Sequence, residues 1–188
     1  AFVRSALYAK EAGLDGVQLH LAHGYLLSQF LSPLENSRQD EYGGSGENRI
    51  RFPLEVLRAL RQACGNDFPL FIKVNCNLPQ PGLEEEYQQE LLLLLEECKK
   101  IGVLAAEISG CNFRAFPPSA GPYYLKQAQA LQKAGLPLIL VGGIRSGSDA
   151  QACLDAGFPL VSFCRPFVCE PEFLQKVQKD PSHRAPCI

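Results

Sequence analysis

The stretch LQKAGLPLILVGG, residues 131–143, joins the end of a helical pattern to a short apolar strand through a glycine. Glycine suits the position after a helix because it adopts a positive φ without a Cβ clash. The same order of helix, small residue, glycine and strand recurs along the chain. The predicted strands cover residues 16–20, 69–75, 103–109, 137–141 and 159–164.

These strands are nearly continuous apolar runs, such as LFIKV at residues 70–74 and LILV at residues 138–141. Such runs are typical of parallel strands that are covered on both faces, and the intervening helices would provide the cover. The alternation of helix and strand therefore predicts an α/β fold built on a parallel sheet.

Two parallel architectures are compatible with this pattern, an open doubly wound sheet and a closed eight-stranded barrel. The G-x-G-x-x-G motif of a doubly wound dinucleotide domain does not follow the strand that ends at His20. The last two strands end instead in Gly142-Gly143 and Cys164-Arg165. Barrels commonly bind phosphate after strands 7 and 8, so the sequence predicts a TIM (β/α)8 barrel of which strands 4 to 8 are present.

This strand count predicts that residues 1–188 form one partial barrel domain without its first three strands. The lack of methionine at position 1, or anywhere else in the chain, agrees with that prediction. Five strands would leave two unpaired sheet edges, which tend to pair with another chain. We therefore expect self-association into a homo-oligomer.

Charge and hydropathy restrict the classes of partner. The 18 basic and 20 acidic residues are dispersed along the chain, and the formal net charge is -2, so no basic surface for nucleic acid is indicated. The apolar run at residues 91–95 is far shorter than the roughly 20 residues of a membrane span, and the N-terminus lacks the pattern of a signal peptide. The eight cysteines are scattered and are interpreted as reduced thiols. We expect a cytoplasmic protein that acts on a small molecule, without nucleic-acid or membrane partners.

The densest group of reactive side chains comprises His20, His23 and Tyr25, at the carboxyl end of the first predicted strand. Barrel enzymes keep their chemistry at this end of the strands. Two imidazoles can donate hydrogen bonds to one oxygen and stabilise enolate-like charge, and a tyrosine can supply a proton as general acid. Two alternatives remain open, structural histidines and two thirds of a metal site, although neither H-E-x-x-H nor a third ligand stands nearby.

Four further residues are typical of phosphate binding. Gly142, Gly143, Cys164 and Arg165 combine backbone amides with a guanidinium, a set that can grip a single phosphate. A single phosphate indicates a mononucleotide such as FMN, whereas the alternative is a pair of ordinary turns. Lys73 interrupts an apolar strand and is predicted to stabilise negative charge on a reduced cofactor, or else to be an ion-paired lysine.

A long stretch of the chain resembles the Old Yellow Enzyme family of flavin oxidoreductases. The resemblance is strongest over HLAHGYLLSQFLSP at residues 20–33 and NSRQDEYGGSGENRIRF at residues 36–52, and it extends through the Lys73 strand to SFCRPF at residues 162–167. It implies an FMN-containing (β/α)8 barrel in which NADH or NADPH reduces the flavin and the flavin passes a hydride to an activated alkene.

The resemblance also implies a role for each candidate residue. His20 and His23 would hold the carbonyl or nitro oxygen of the substrate, and Tyr25 would donate the proton. Lys73 matches the family's basic residue near flavin N1 and O2. The phosphate loops of the family match Gly142, Gly143, Cys164 and Arg165, with glycine commoner than cysteine at the position of Cys164.

The C-terminal Pro186-Cys187-Ile188 resembles the start of an iron–sulfur motif in a subgroup of that family. One thiolate cannot hold four irons, so no metal ligand is predicted within this chain alone. Cys187 is predicted as a ligand of a 4Fe-4S cluster in a longer protein.

Two other functions are compatible with the sequence. One is a non-catalytic half-barrel that serves in assembly or binding, and the other is a metal-assisted lyase that uses His20 and His23. The loop at residues 110–122 is predicted either to border the mouth of the barrel or to be an irregular surface loop.

Overall fold

A computed structural model describes residues 1–117 and 119–187, so Pro118 of the predicted mouth loop and Ile188 of the C-terminal motif lie outside the described residues. The strands β1 to β5 are, in order, Val17–Leu21, Leu70–Asn75, Ala105–Ser109, Leu138–Val141 and Leu160–Ser162. The helices α1 to α9 are Phe2–Glu11, Leu26–Leu31, Gly46–Arg49, Arg51–Cys64, Glu84–Ile101, Leu125–Leu131, Gly147–Asp155, Arg165–Cys169 and Phe173–Lys179.

The strands form one parallel sheet in the order β1-β2-β3-β4-β5. Each strand therefore pairs with the next strand along the chain, as in a barrel, whereas a doubly wound sheet reverses direction at a switch point. This order confirms the predicted fold class, and each predicted strand is present with ends that differ by a few residues at most.

The glycines that end the helices explain why the repeat is regular. Gly102 follows α5 with φ 87° and ψ 26°, and its N–H bonds back to the last turn of the helix. This left-handed conformation ends the helix and turns the chain towards β3. Positive φ values are found at all the glycines that the sequence placed after helices, Gly13, Gly65, Gly102, Gly135 and Gly157.

The two faces of the sheet have different environments. One face carries apolar side chains such as Leu21, Ile72 and Ile108, which are fully buried. On the other face the strand register places His20, Lys73, Glu107 and Ile139 in one row. Side chains alternate between the two faces along a strand. The helices therefore cover the apolar face, and the row with His20, Lys73 and Glu107 on the other face is available for the site.

The charged loop before α4 is fixed by a buried arginine. The side chain of Ser45 accepts a hydrogen bond from the Asn48 N–H, which caps α3. Arg49 then reaches α5, where its guanidinium lies 2.6 Å from both Glu86 and Glu90. The loop is thus attached to α5.

Among the residues that the structure describes, β1 and β5 each pair with a strand on one side only, and Leu160 at the start of β5 is 54% exposed. Self-association through these edges stays a prediction. Within the described ranges, no helix is both long and apolar enough to cross a membrane.

Candidate active site

A cavity of about 650 Å³ opens at the carboxyl ends of the strands. Its volume lies within the roughly 300–1,000 Å³ that is usual for ligand sites. Most of the candidate residues line it, namely His23, Lys73, Gly142, Gly143, Cys164 and Arg165. His20 and Tyr25 are not part of this lining, but they adjoin it through the ring of His23.

A strained turn presents His23 to the cavity. His23 has φ 61° and Gly24 has φ 77°, so two successive residues adopt left-handed backbone conformations. For a residue other than glycine this conformation costs about 1 to 2 kcal/mol. Nε2 of His23 lies 2.9 Å from Oγ of Ser109, at the end of β3, and this hydrogen bond connects the turn to that strand.

His20 connects the other two candidate catalytic residues. Its ring centroid lies 5.3 Å from that of His23 and 5.1 Å from that of Tyr25. Tyr25, the residue before α2, is 63% exposed and therefore accessible to a substrate. Nδ1 of His20 is buried without a hydrogen-bond partner among the residues that the structure describes. The three side chains form one continuous row along the rim.

The surroundings of both histidines favour the neutral imidazole. Burial lowers the pKa of His20, and the nearby charge of Lys73 lowers it further. Burial also lowers the pKa of His23, with smaller contributions from His20 and Lys73. Glu107 opposes both shifts but does not reverse them. A neutral imidazole has one N–H donor, so each ring can offer one hydrogen bond to a ligand.

Lys73 is an ion-paired lysine that also lines the cavity. Its Nζ lies 3.0 Å from Oε1 of Glu107, and its side chain is 20% exposed. Its position is therefore compatible with both predictions from the sequence, a cation near a cofactor and an ion-paired lysine. Glu107 was not predicted as a site residue, because a strand that is buried along its whole length carries no alternation that would single it out.

The Gly142-Gly143 turn is required by packing as well as by its backbone. A Cβ atom on Gly142 would lie 2.7 Å from Cε2 of Tyr124, and one on Gly143 would clash with the carbonyl oxygen of Gly121 and with Tyr123. The two glycines also have φ values of 114° and 76°. The packing of Tyr123 and Tyr124 against this turn therefore requires both glycines, whether or not a ligand binds there.

Backbone amides and one guanidinium at this end of the cavity remain available for an anion. Within residues 1–117 and 119–187, the N–H groups of Gly143 and Cys164 donate no hydrogen bond to another backbone group. The guanidinium of Arg165 lies over the ring of Phe113, with 5.2 Å between Cζ and the ring centroid. This wall combines free donors with a positioned cation, as phosphate binding requires.

The C-terminal segment packs against the same wall. The Ala185 N–H donates to the Arg145 carbonyl, and the guanidinium of the buried Arg145 donates to the Cys187 carbonyl. Cys187 lines the cavity. In the part of the chain that the structure describes, no group of three or more His, Cys, Asp or Glu side chains could hold a metal ion.

Comparison with known proteins identifies the family. The model described as the NADH:flavin oxidoreductase / NADH oxidase family matches residues 1–183. The chain belongs to this family. This membership confirms the resemblance to Old Yellow Enzyme that the motifs indicated, and it makes flavin and a nicotinamide reductant the expected redox partners of the site.

Individual relatives of this flavin oxidoreductase chain differ in name and length. An NADH oxidase of Thermoanaerobacter brockii is 34% identical over 187 residues, which cover 95% of this chain and 28% of that protein. A cinnamate reductase of Clostridium sporogenes is 32% identical over 216 residues, with 100% of this chain and 32% of that protein covered. Morphinone reductase in complex with tetrahydroNAD matches with a TM-score of 0.78 and 29% identity, over 98% of this chain and 49% of that chain. The chain thus spans less than half the length of these relatives.

The residues present fit a flavin mononucleotide. A single phosphate matches the donor set of Gly143, Cys164 and Arg165, which has no acidic side chain among its members. Lys73 provides a cation elsewhere on the same cavity wall. His23, a candidate substrate-binding residue, lines the same cavity, so cofactor and substrate groups would share one space.

Proposed function

We propose that this chain carries the active site of an FMN-dependent NAD(P)H oxidoreductase. The proposed reaction reduces an activated C=C bond of an α,β-unsaturated carbonyl compound. One observation carries the proposal: a single cavity joins a phosphate-type wall at Arg165 to His23 at the opposite rim. Residues 1–188 would act as one partial barrel domain of this enzyme.

The cofactor would be held by residues from three strand ends. The amides of Gly142, Gly143 and Cys164 would bind the FMN phosphate together with the Arg165 guanidinium, and Lys73 would balance negative charge on the ring. FMN, when bound and reduced by NADH or NADPH, supplies the hydride. The protein supplies orientation and charge stabilisation around it.

His20 and His23 bind and polarise the substrate. Each neutral ring donates one N–H to the carbonyl oxygen of the substrate, and these bonds strengthen as negative charge develops on that oxygen. Low pKa values suit this role, because a neutral donor stabilises the charge without losing its proton. The ring contacts between His20, His23 and Tyr25 keep the donors and the acid in one row.

Tyr25 holds the proton on Oη and donates it to one carbon of the C=C bond. The other carbon of that bond accepts the hydride. Its exposure allows the proton to be replaced from solvent after each turnover. The names of two relatives support this choice of substrate, since cinnamate and morphinone both contain a C=C bond conjugated to a carbonyl group.

The proposal is tested with the protein purified without added flavin. We expect absorption bands of oxidised flavin that bleach under anaerobic NADH or NADPH and return when an alkene such as an α,β-unsaturated ketone is added. Tyr25→Phe should keep the bleaching and lose most of the alkene-dependent recovery. Tyr8→Phe is the matched control, since Tyr8 is 60% exposed on α1 and should have no effect.

A colourless protein that also fails to bind added FMN would contradict the proposal and favour the non-catalytic binding function. Metal-dependent activity without flavin would favour the lyase. The 4Fe-4S prediction for Cys187 is tested separately, by iron and acid-labile sulfide analysis of the longest chain that contains residues 1–188.

A further inference from the structure

We infer that Ser109 is a positioning residue that fixes His23 in the tautomer with its proton on Nδ1. Nδ1–H is then the donor that His23 offers to a substrate oxygen. The inference rests on the proposed function, in which His23 binds that oxygen, and it adds a residue that neither the motifs nor the family comparison assigns.

The contact between the two residues connects distant parts of the fold. Nε2 of His23 and Oγ of Ser109 are 2.9 Å apart and belong to residues that are 86 positions apart in the sequence. His23 follows β1 and Ser109 ends β3, so β2 lies between them in the sheet. Ser109 is 8% exposed and lines the same cavity, which makes its hydroxyl part of the wall behind the imidazole.

The backbone at His23 makes this contact important for the orientation of the ring. His23 and Gly24 both have positive φ values, a conformation that residues other than glycine adopt only when the surroundings enforce it. The hydrogen bond between Nε2 and the Ser109 hydroxyl holds the ring from across the sheet. With Nε2 engaged, Nδ1 is the nitrogen that remains for a ligand.

The direction of the hydrogen bond follows from the N–H donor that the proposed function requires of His23. A neutral imidazole carries one proton, and a serine hydroxyl can either donate or accept. If His23 donated from Nε2 to Ser109, it would have no N–H left for a carbonyl oxygen. If Ser109 donates to Nε2, the proton of the ring is on Nδ1 and available.

The charges around the ring favour the neutral form. His20 on β1, Lys73 on β2 and Glu107 on β3 are the titratable groups that act on His23. Burial lowers the pKa of His23 most, the two basic groups lower it further, and Glu107 only partly opposes them. At neutral pH the single proton of the ring can therefore lie on either nitrogen. The hydroxyl of Ser109 is placed to determine which nitrogen carries it.

The tautomer can be read directly by nuclear magnetic resonance. The chain contains three histidines, so long-range ¹H–¹⁵N spectra of the ¹⁵N-labelled protein are simple, and His20→Gln and His183→Gln assign them. In the flavin-free wild-type protein, at a pH above the pKa of His23, we expect a protonated Nδ1 and an unprotonated Nε2. A wild-type His23 with its proton on Nε2 overturns the inference without any variant.

Substitution of Ser109 then tests the cause. Ser109→Ala should give a mixture of tautomers and raise the pKa of His23 by roughly 0.5 to 1 unit, because the neutral ring loses a hydrogen bond to its unprotonated nitrogen. Ser109→Thr keeps the hydroxyl and should retain the wild-type tautomer. If the alanine variant does not fold, the threonine variant and the wild-type spectrum still test the inference.

The matched control is Ser162→Ala, which removes a hydroxyl from the end of β5 in the same cavity. It should leave the tautomer and the pKa of His23 unchanged. Wild-type values in Ser109→Ala would also overturn the inference. Because the spectra need no flavin, a protein with the expected tautomer that neither binds nor reduces FMN contradicts only the proposed function. An active alkene reductase with His23 protonated on Nε2 contradicts only the inference.

Discussion

Nζ of Lys73 lies 3.0 Å from Oε1 of Glu107, so the cation on the cavity wall has a carboxylate partner on the neighbouring strand. The pair reduces the net positive charge that the proposed flavin ring would experience. Glu107→Gln should therefore raise the midpoint potential of bound flavin, since the anionic reduced form is stabilised. A stabilisation of about 1 kcal/mol corresponds to roughly 20 mV for a two-electron couple.

Spectroelectrochemical titration of the flavin-loaded protein measures this shift. Lys73→Gln should move the potential in the opposite direction. Glu97→Gln is the control, because Glu97 pairs with Arg58 and Lys100 away from the cavity. A lower potential in Glu107→Gln than in the wild type would show that Lys73 needs its partner in order to face the ring.

Gly143 and Gly13 form a matched pair for separating backbone strain from packing. Both have positive φ, but a Cβ on Gly13 meets no atom within 4 Å, whereas one on Gly143 would clash with Gly121 and Tyr123. Gly13→Ala should lower the free energy of unfolding by about 1 to 2 kcal/mol from the backbone alone. Gly143→Ala should lower it by about 2 to 5 kcal/mol, because overpacking is added. Urea denaturation compares the two, and equal losses would mean that the tyrosines move aside.

The local features of the fold could be predicted from the sequence because each depends on neighbouring residues. A glycine such as Gly102 ends its helix through its own φ, and an apolar run predicts a buried strand without knowledge of its partners. The barrel, and with it the sequential strand order, was then predicted from the phosphate-type groups at the ends of the last two strands. The candidate histidines were found in the same way, since His20 and His23 lie close together in the chain.

The contacts between strands could not be predicted in this way. Ser109 and Glu107 meet His23 and Lys73 only after three strands have been aligned, and a shift of one residue would turn both side chains to the other face. At Gly142 the sequence signal was visible, but its structural cause was not. Its sequence signal was attributed to a phosphate, but the adjacent Tyr124 ring already requires a glycine there.

Phe113 is expected to hold Arg165 ready for the phosphate. The guanidinium lies 5.2 Å from the centroid of the ring, a cation–π contact worth about 0.5 to 1 kcal/mol at an exposed site. Phe113→Leu should therefore weaken FMN binding roughly two- to five-fold. Quenching of flavin fluorescence on titration with protein gives the Kd. Phe113→Tyr keeps an aromatic face and should bind as the wild type does, and a full loss of affinity in both variants would instead indicate a collapsed loop.

Glu90 should make the stability of the chain depend on pH. Its carboxyl is buried beside Arg49, and burial raises its pKa to about 8, while the exposed Glu86 supplies the charge partner of the guanidinium. In the unfolded chain a glutamate titrates near 4.3, so the folded state binds the extra proton between about pH 4 and pH 8. The contribution of Glu90 is therefore complete below this range and is lost as the pH rises through it.

Urea denaturation at pH 5, 7 and 9 measures this dependence. Relative to the wild type, Glu90→Gln mimics the protonated side chain and should flatten the decline in stability between pH 5 and pH 9. Glu97→Gln, at a partly buried position of the same helix, should leave the decline as it is, because the Glu97 pKa is lowered by its hydrogen bond with Lys100. A wild-type chain whose stability follows the same pH dependence as Glu90→Gln would mean that Arg49 keeps Glu90 ionised in the folded state, because Glu90 would then be ionised in both states throughout this range.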